Sequence, residues 1–289
     1  MKKYQLFLAA AAIALSSCGN DHDVFPEIPE DPEVPKVEVE VLEYRPAPGQ
    51  FINENFDVKT MAEANAYAEG RLKSGYFVSL GAFGGYITVK MPEEIKNQKG
   101  YDFGIIGNPF TNSSEPGIVW VSEDTNGNGI ADDTWYELLG SDEAKRNYSV
   151  TYHRPAEVGD IEWEDNQGEH GVIKYLPQFH KQMYYPNWIK EDAYTLTGSM
   201  LAPRTIFEDN VWKNQDFEYG YADNLGKESA FDKDGRYLYN QFDLDNAIDL
   251  NGEKITLKSI HFVKVQSAIL KNVEAIGEVS TEVCGFVLF

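Results

Sequence analysis

Between Ile118 and Leu139 two apolar runs flank the densest group of carboxylates, side-chain amides and glycines in the chain, IVWVSEDTNGNGIADDTWYELL. Asp124, Asn126 and Asn128 alternate, Gly129 follows, and Asp132 and Asp133 close the run. Such an order lets a short loop wrap side-chain oxygens around a hard cation, and calcium takes about six to eight oxygens at about 2.3–2.6 Å. The expected ligands are Asp124, Asn126, Asn128, the Ile130 carbonyl, Asp132 and Asp133, with Glu137 as the alternative source of the last carboxylate. Three aspartates so close together repel one another unless a cation neutralises them, and the ion expected here is a structural Ca2+. The competing reading is a solvated hairpin turn, because Asn126-Gly127 and Asn128-Gly129 are strong turn dipeptides unaided.

The D-x-N-x-N-G-x-x-D-D pattern resembles the calcium loops of EF-hands and, more closely, of thrombospondin type 3 repeats. Position twelve of an EF-hand loop is Trp135 here, so no bidentate Glu completes that version of the site.

Other chemistry is poorly supported. His22, His153, His170, His180 and His261 are scattered, with no HExxH and no pair one helical turn apart, so no transition-metal site is legible. There is no Gly-x-Ser-x-Gly elbow, and Cys284, inside the apolar final run, is expected to be a small buried hydrophobe. A glycosidase-like carboxylate pair would draw on Asp165, Glu169, Glu191 or Asp192. With 47 acids in the chain, however, such pairs arise by abundance alone, and no enzymatic activity is expected. Glu278 and Glu282 alternate with Val279 and Val283 and are expected to face solvent. The second acidic turn, Asp243-Leu244-Asp245 with Asp249 and Asn251-Gly252, reads as an Asx-rich turn, a second calcium site being the alternative.

Between Glu157 and Asp245 strand alternation weakens while rings crowd together. Long irregular segments are uncommon unless functional. Trp163, Tyr184, Tyr185, Trp188, Trp212, Tyr219 and Tyr221 are therefore the candidate ligand-binding residues, forming an exposed stacking platform. The alternative is that these rings pack loops onto the sheets.

The elements that must position these residues are mostly strands. Alternating apolar runs bounded by Gly, Pro, Asn and Asp place strands at Tyr86–Met91, Tyr101–Ile106, Ile118–Val121, Trp135–Leu139 and Tyr148–Tyr152. Later strands are expected at Ala193–Thr197, Ser259–Val265 and Gly277–Phe286. The Ile118–Val121 run is apolar on both faces and belongs in the centre of a sheet. One helix is expected over Val58–Leu72, where Met61, Ala64, Tyr67, Ala68 and Leu72 recur at helical spacing before Gly75. The fold class is all-β: a jelly-roll-like β-sandwich with one flanking helix and long aromatic-rich loops.

Residues 1–18 read as a processing signal, with Lys2 and Lys3 before an apolar run too short to remain a membrane span. Leu15-Ser16-Ser17-Cys18 resembles a bacterial lipobox, which implies cleavage before Cys18 and its lipidation; an ordinary secretory peptide is the alternative. Residues 19–43 carry nine acids, one lysine and prolines at 26, 29, 32 and 35, and are expected to form a disordered, extended tether. Residues 44–289 are expected to be a single domain. The formal charge of −22 excludes nucleic acid as a partner. Only Cys284 remains beside Cys18, so no side-chain disulfide can staple the loops once Cys18 is acylated.

The order GGYITVK, GYDFGIIGNPF and EPGIVWVSEDTNGNGIADDTWYELLGS, followed by YSVTYHRP, WIKEDAYTLTG and GYADN, resembles a family of Bacteroidetes cell-surface lipoproteins over most of residues 49–289. The acids after Cys18 resemble the signal that exports such lipoproteins to the outer face of the outer membrane. The resemblance implies a galactose-binding-like jelly roll in a non-catalytic protein that travels with a TonB-dependent transporter, including those for corrinoids such as vitamin B12. The expected function is thus capture of a nutrient, corrinoid or glycan, by a calcium-stabilised module anchored to the extracellular face of the outer membrane. A transporter-associated scaffold without a small-molecule ligand, or a carbohydrate-active hydrolase, is the alternative.

Overall fold

The computed structural model describes residues 36–54 and 57–289. The signal peptide, Cys18 and residues 19–35 of the expected tether lie outside the described residues. The rest is an all-β sandwich with one helix.

Because side chains alternate across a strand, each strand with an apolar face must bury that face against another layer. A six-stranded antiparallel sheet runs in the order Ala247–Ile248, Trp135–Leu138, Gly117–Ser122, Ser259–Ser267, Tyr86–Lys96, Glu40–Arg45. A five-stranded sheet runs Lys36–Val37, Gly285–Leu288, Phe103–Ile106, Tyr237–Phe242, Ser229–Phe231. Ile87, Val89, Val119, Val121, Val263 and Val265 of the first share one core with Phe103, Ile105, Phe242 and Phe286 of the second. The strand Gly117–Ser122 is buried at every position and lies inside its sheet, as its two apolar faces require. A third, four-stranded sheet, His170–Ile173, Ile161–Asp165, Lys145–His153, Ala193–Met200, adds Tyr148, Val150 and Tyr152 to the same core.

The helix spans Met61–Lys73, three residues shorter at its start than expected. Thr60 sets the boundary: its side chain accepts from the Glu63 amide while the Glu63 carboxylate accepts from the Thr60 amide, a reciprocal capping box. Gly75, at φ +73°, closes the other end with its amide on the Leu72 carbonyl. Ala64, Ala68 and Leu72 face the core.

Two expectations fail. Residues 36–43 are not tether: Lys36–Val37 pairs with Gly285–Leu288, and Glu40–Arg45 pairs with Tyr86–Lys96. Val37, Val39 and Val41 alternate with Lys36, Glu38 and Glu40, a strand pattern that the acid count of the preceding segment obscures. The run Gly277–Phe286 is not one strand either. It breaks into Gly277–Glu278, Glu282–Val283 and Gly285–Leu288, each with a different partner strand, so no single alternation governs it. Consequently Glu278 and Glu282 point inward and are buried, whereas Cys284 is buried as expected.

A chain that begins at residue 44 loses Val41 from the core and an edge strand from the sheet. It is expected to be less stable than one beginning at residue 36 by about 2 kcal/mol or more, read from denaturant midpoints. Equal midpoints would return residues 36–43 to the tether.

Candidate functional site

The cavity that best fits a small molecule lies on the outward face of the six-stranded sheet. Register builds it. Lys264 sits opposite Trp120 on one side and Thr88 on the other, Gln266 lies opposite Tyr86, and Tyr86 opposite Arg45. Trp135 lies opposite Ser122, two residues along from Trp120, and therefore joins the same face. Thr195, Leu196, Thr197 and Gly198 form the facing wall, and Asp249, Leu250 and Asn251 part of the rim. The cleft holds about 730 Å³.

The two walls are clamped by Gln266, whose side-chain amide donates to the Gly84 carbonyl at 2.8 Å and the Thr197 carbonyl at 3.1 Å. Gly198 permits that approach, since a Cβ there would fall 2.2 Å from Gln266 Oε1. The Lys264 ammonium lies 4.3 Å from the Trp135 ring centroid and 5.3 Å from that of Tyr86. Cation–π contacts of this kind contribute about 0.5–2 kcal/mol. Burial lowers the Lys264 pKa, with Glu43 opposing the shift. Glu43 also accepts the Tyr86 hydroxyl at 2.8 Å, and burial, then Glu43, raises the tyrosine pKa. Trp120 is buried, and its indole N–H has no partner among the described residues.

The aromatic platform expected after Glu157 does not assemble. Tyr184, Tyr185, Trp188 and Tyr221 are buried, out of reach of a ligand in solvent. The segment holds seven short strands where long loops were expected, and the tyrosines tie its irregular parts down. Tyr185 donates to the Glu191 carbonyl at 2.8 Å, and Tyr221 Oη accepts from the Asp142 amide at 3.0 Å. Tyrosine suits this role because it brings a large apolar body and one polar tip. Trp163 is half-buried and packs against Gly171 across its hairpin; Trp212 lies 5.1 Å from Phe207 across another. Tyr219 alone of the seven is exposed, and it lines a separate cavity of about 250 Å³ with Tyr101 and Glu228.

The acidic loop is held by its own hydrogen bonds. Asp124 accepts from the amides of Asn128 at 3.0 Å and Gly129 at 2.9 Å. Asn126 and Asn128 accept in turn from the amides of Asn128 and Ile130, Asp132 accepts from the Asn128 side chain, and Asp133 accepts from Thr125. Among the described residues no three His, Cys, Asp or Glu side chains converge on one point. The second acidic turn is likewise an Asx turn: Asp243 accepts from the Asp245 amide, and Asp249 from those of Asn251 and Glu253. Asp165, one of the acids considered for hydrolysis, caps a surface hairpin by accepting from the amides of Gln167 and Glu169.

A scan against protein-family models gives no match, and a search of the curated proteins gives no significant one.

Sequence reasoning also missed a buried carboxylate group. Glu278 accepts from the Gln50 amide at 2.7 Å, while its second oxygen has no partner. Asp223, held at φ +55°, accepts from the amides of Asn108 and Glu282, and Glu282 accepts from the Asn108 side chain. Burial raises the pKa of all three and of Glu115 beside them, that of Glu278 to about 7. Burial disfavours the charged form, and mutual repulsion adds to it. An unfolded glutamate titrates near ~4.3. Below that pH both states hold their protons and the stabilisation is complete. As the pH rises through about 7, the unfolded chain has released protons that the fold retains, and stability is lost. The melting temperature is therefore expected to fall between pH 5 and pH 8, by a stability change on the order of a few kcal/mol, and the Glu278→Gln/Glu282→Gln variant should flatten the slope. A slope unchanged in the variant would remove these groups from the account.

Proposed function

We propose that this chain is a lipid-anchored protein of the outer cell surface that captures a ring-bearing nutrient in the Trp120–Trp135 cleft and presents it to a TonB-dependent transporter. The observation that carries the binding step is the cleft itself. Small-molecule sites are concave and measure about 300–1,000 Å³, with aromatic walls and a few fixed polar groups. This one combines Tyr86, Trp120 and Trp135 with Gln266, Asn251 and two cations. Rings contribute broad contact with few rotors to freeze, which suits a flat corrinoid such as vitamin B12 or a saccharide.

Binding is favoured over turnover because the cleft is lined by a single carboxylate, Asp249, which is already committed to backbone amides. The anchor rests on the Leu-Ser-Ser-Cys18 tetrapeptide, and the transporter on the resemblance to surface lipoproteins. A structural calcium ion belongs to the same proposal, held by Asp124, Asn126, Asn128, the Ile130 carbonyl, Asp132 and Asp133. It is supported by the three aspartates of a loop whose nearby cation, Lys90, reaches only the Gly129 carbonyl, at 3.4 Å.

Titration of the soluble chain with cyanocobalamin and with neutral and acidic oligosaccharides, followed by tryptophan fluorescence, should give saturable binding. Trp135→Ala should weaken it about ten-fold or more. No response to any of these would defeat the capture reading. For the ion, chelation should lower the melting temperature of the parent chain and leave Asp124→Ala unaffected; identical melting with calcium and with chelator counts against it.

A further inference from the structure

The charge of the cleft runs against that of the molecule. The chain has 47 acids against 25 Lys and Arg, yet two cations, Arg45 and Lys264, line the cleft. Among the described residues neither makes an ion pair or a side-chain hydrogen bond; Lys264 lies over Trp135 and Tyr86, and Arg45 lies 5.5 Å from the Tyr194 ring centroid. The acids nearby are committed: Asp249 to the turn amides, Glu43 to the Tyr86 hydroxyl. A lysine that is half-buried without a counter-ion has lost water and gained only ring faces in return. An anion arriving in the cleft would restore a full partner, and in a site screened from solvent such a charge-assisted contact is strong.

The rest of the lining narrows the ligand further. Asn147, Thr195, Thr197 and Asn251 bring amides and hydroxyls to the wall and rim that face the indoles. Stacking faces opposite short polar side chains match a sugar ring, which has one apolar face and an equator of hydroxyls.

We propose that the cleft selects an acidic saccharide, a pyranose ring stacking on Trp135 or Tyr86 while its carboxylate is bound by Lys264 and Arg45. This rests on the capture reading and names its ligand class. Lys264 sets the depth of the carboxylate, and Arg45, at the outer strand of the sheet, supplies the second contact at the edge.

The test titrates the whole chain downstream of Cys18 by calorimetry with trigalacturonate, with its fully methyl-esterified form, and with citrate. Trigalacturonate should bind about ten-fold tighter than the ester at low salt, with the preference shrinking as salt is added. Lys264→Met, which keeps the aliphatic stem against the rings, and Arg45→Met should each bring acid and ester closer together. Folding of both variants is checked by their melting temperature, and either one alone suffices. Equal binding of acid and ester by the parent chain would overturn the acidic preference while leaving capture intact. Citrate binding as tightly as trigalacturonate would replace the sugar by a bare anion and also overturn it. Binding of cyanocobalamin or neutral glycan with none of trigalacturonate refutes this ligand class alone, whereas silence towards every probe refutes the capture reading with it.

Discussion

The two-residue alternation of one central strand, Ser259–Ser267, governs both the interior and the cleft. Val263 and Val265 point into the core; Lys264 and Gln266 point out of it. The strand is paired on both sides, with Tyr86–Lys96 and Gly117–Ser122, so its register also fixes which residues of those neighbours face outward. A slip of one residue would send Lys264 into the apolar core and Val263 into the cleft, and burying an ammonium without a partner is prohibitive. Core packing thus locks the geometry of the binding face at no additional cost.

Charge is managed by separation. A strongly acidic molecule might be expected to keep every carboxylate in water, yet Asp223, Glu278 and Glu282 are interior, tied to backbone amides of distant segments. They join the loop at Gln50 to the segment at 278 and the turn at Asn108 to the C-terminal strands. With no disulfide available, such long-range carboxylate-to-amide contacts, together with tyrosine hydroxyls on loop carbonyls, hold the irregular parts to the sheets. The cost is a fold that prefers these acids neutral.

The hairpin Ile118–Leu139 has two parts with different tasks. Its tip is an exposed, self-bonded loop rich in aspartate, while its base carries Trp120 and Trp135 on the face that lines the cleft. The strand pairing Ser122 with Trp135 connects them: the length of the tip sets the register at which the indole returns. An ion in the loop, where proposed, would act on the cleft only through that register.

Period-two apolar patterning, turn dipeptides and the capping box at Thr60 are local, and they made the all-β class, the single helix, the central position of Ile118–Val121 and the burial of Cys284 legible from residues alone. The pattern failed where burial depends on partners far away in the chain. The tyrosines after Glu157 look the same in sequence whether their rings face water or donate to a buried carbonyl. Glu278 and Glu282 read as surface residues because one alternation was extended over a run that three different partner strands divide. The cleft was invisible for the same reason: Arg45, Tyr86, Trp120, Trp135 and Lys264 come from five strands, and only sheet order and register bring them to one face. Local chemistry fixes what each segment can become, whereas long-range pairing decides which side chains meet.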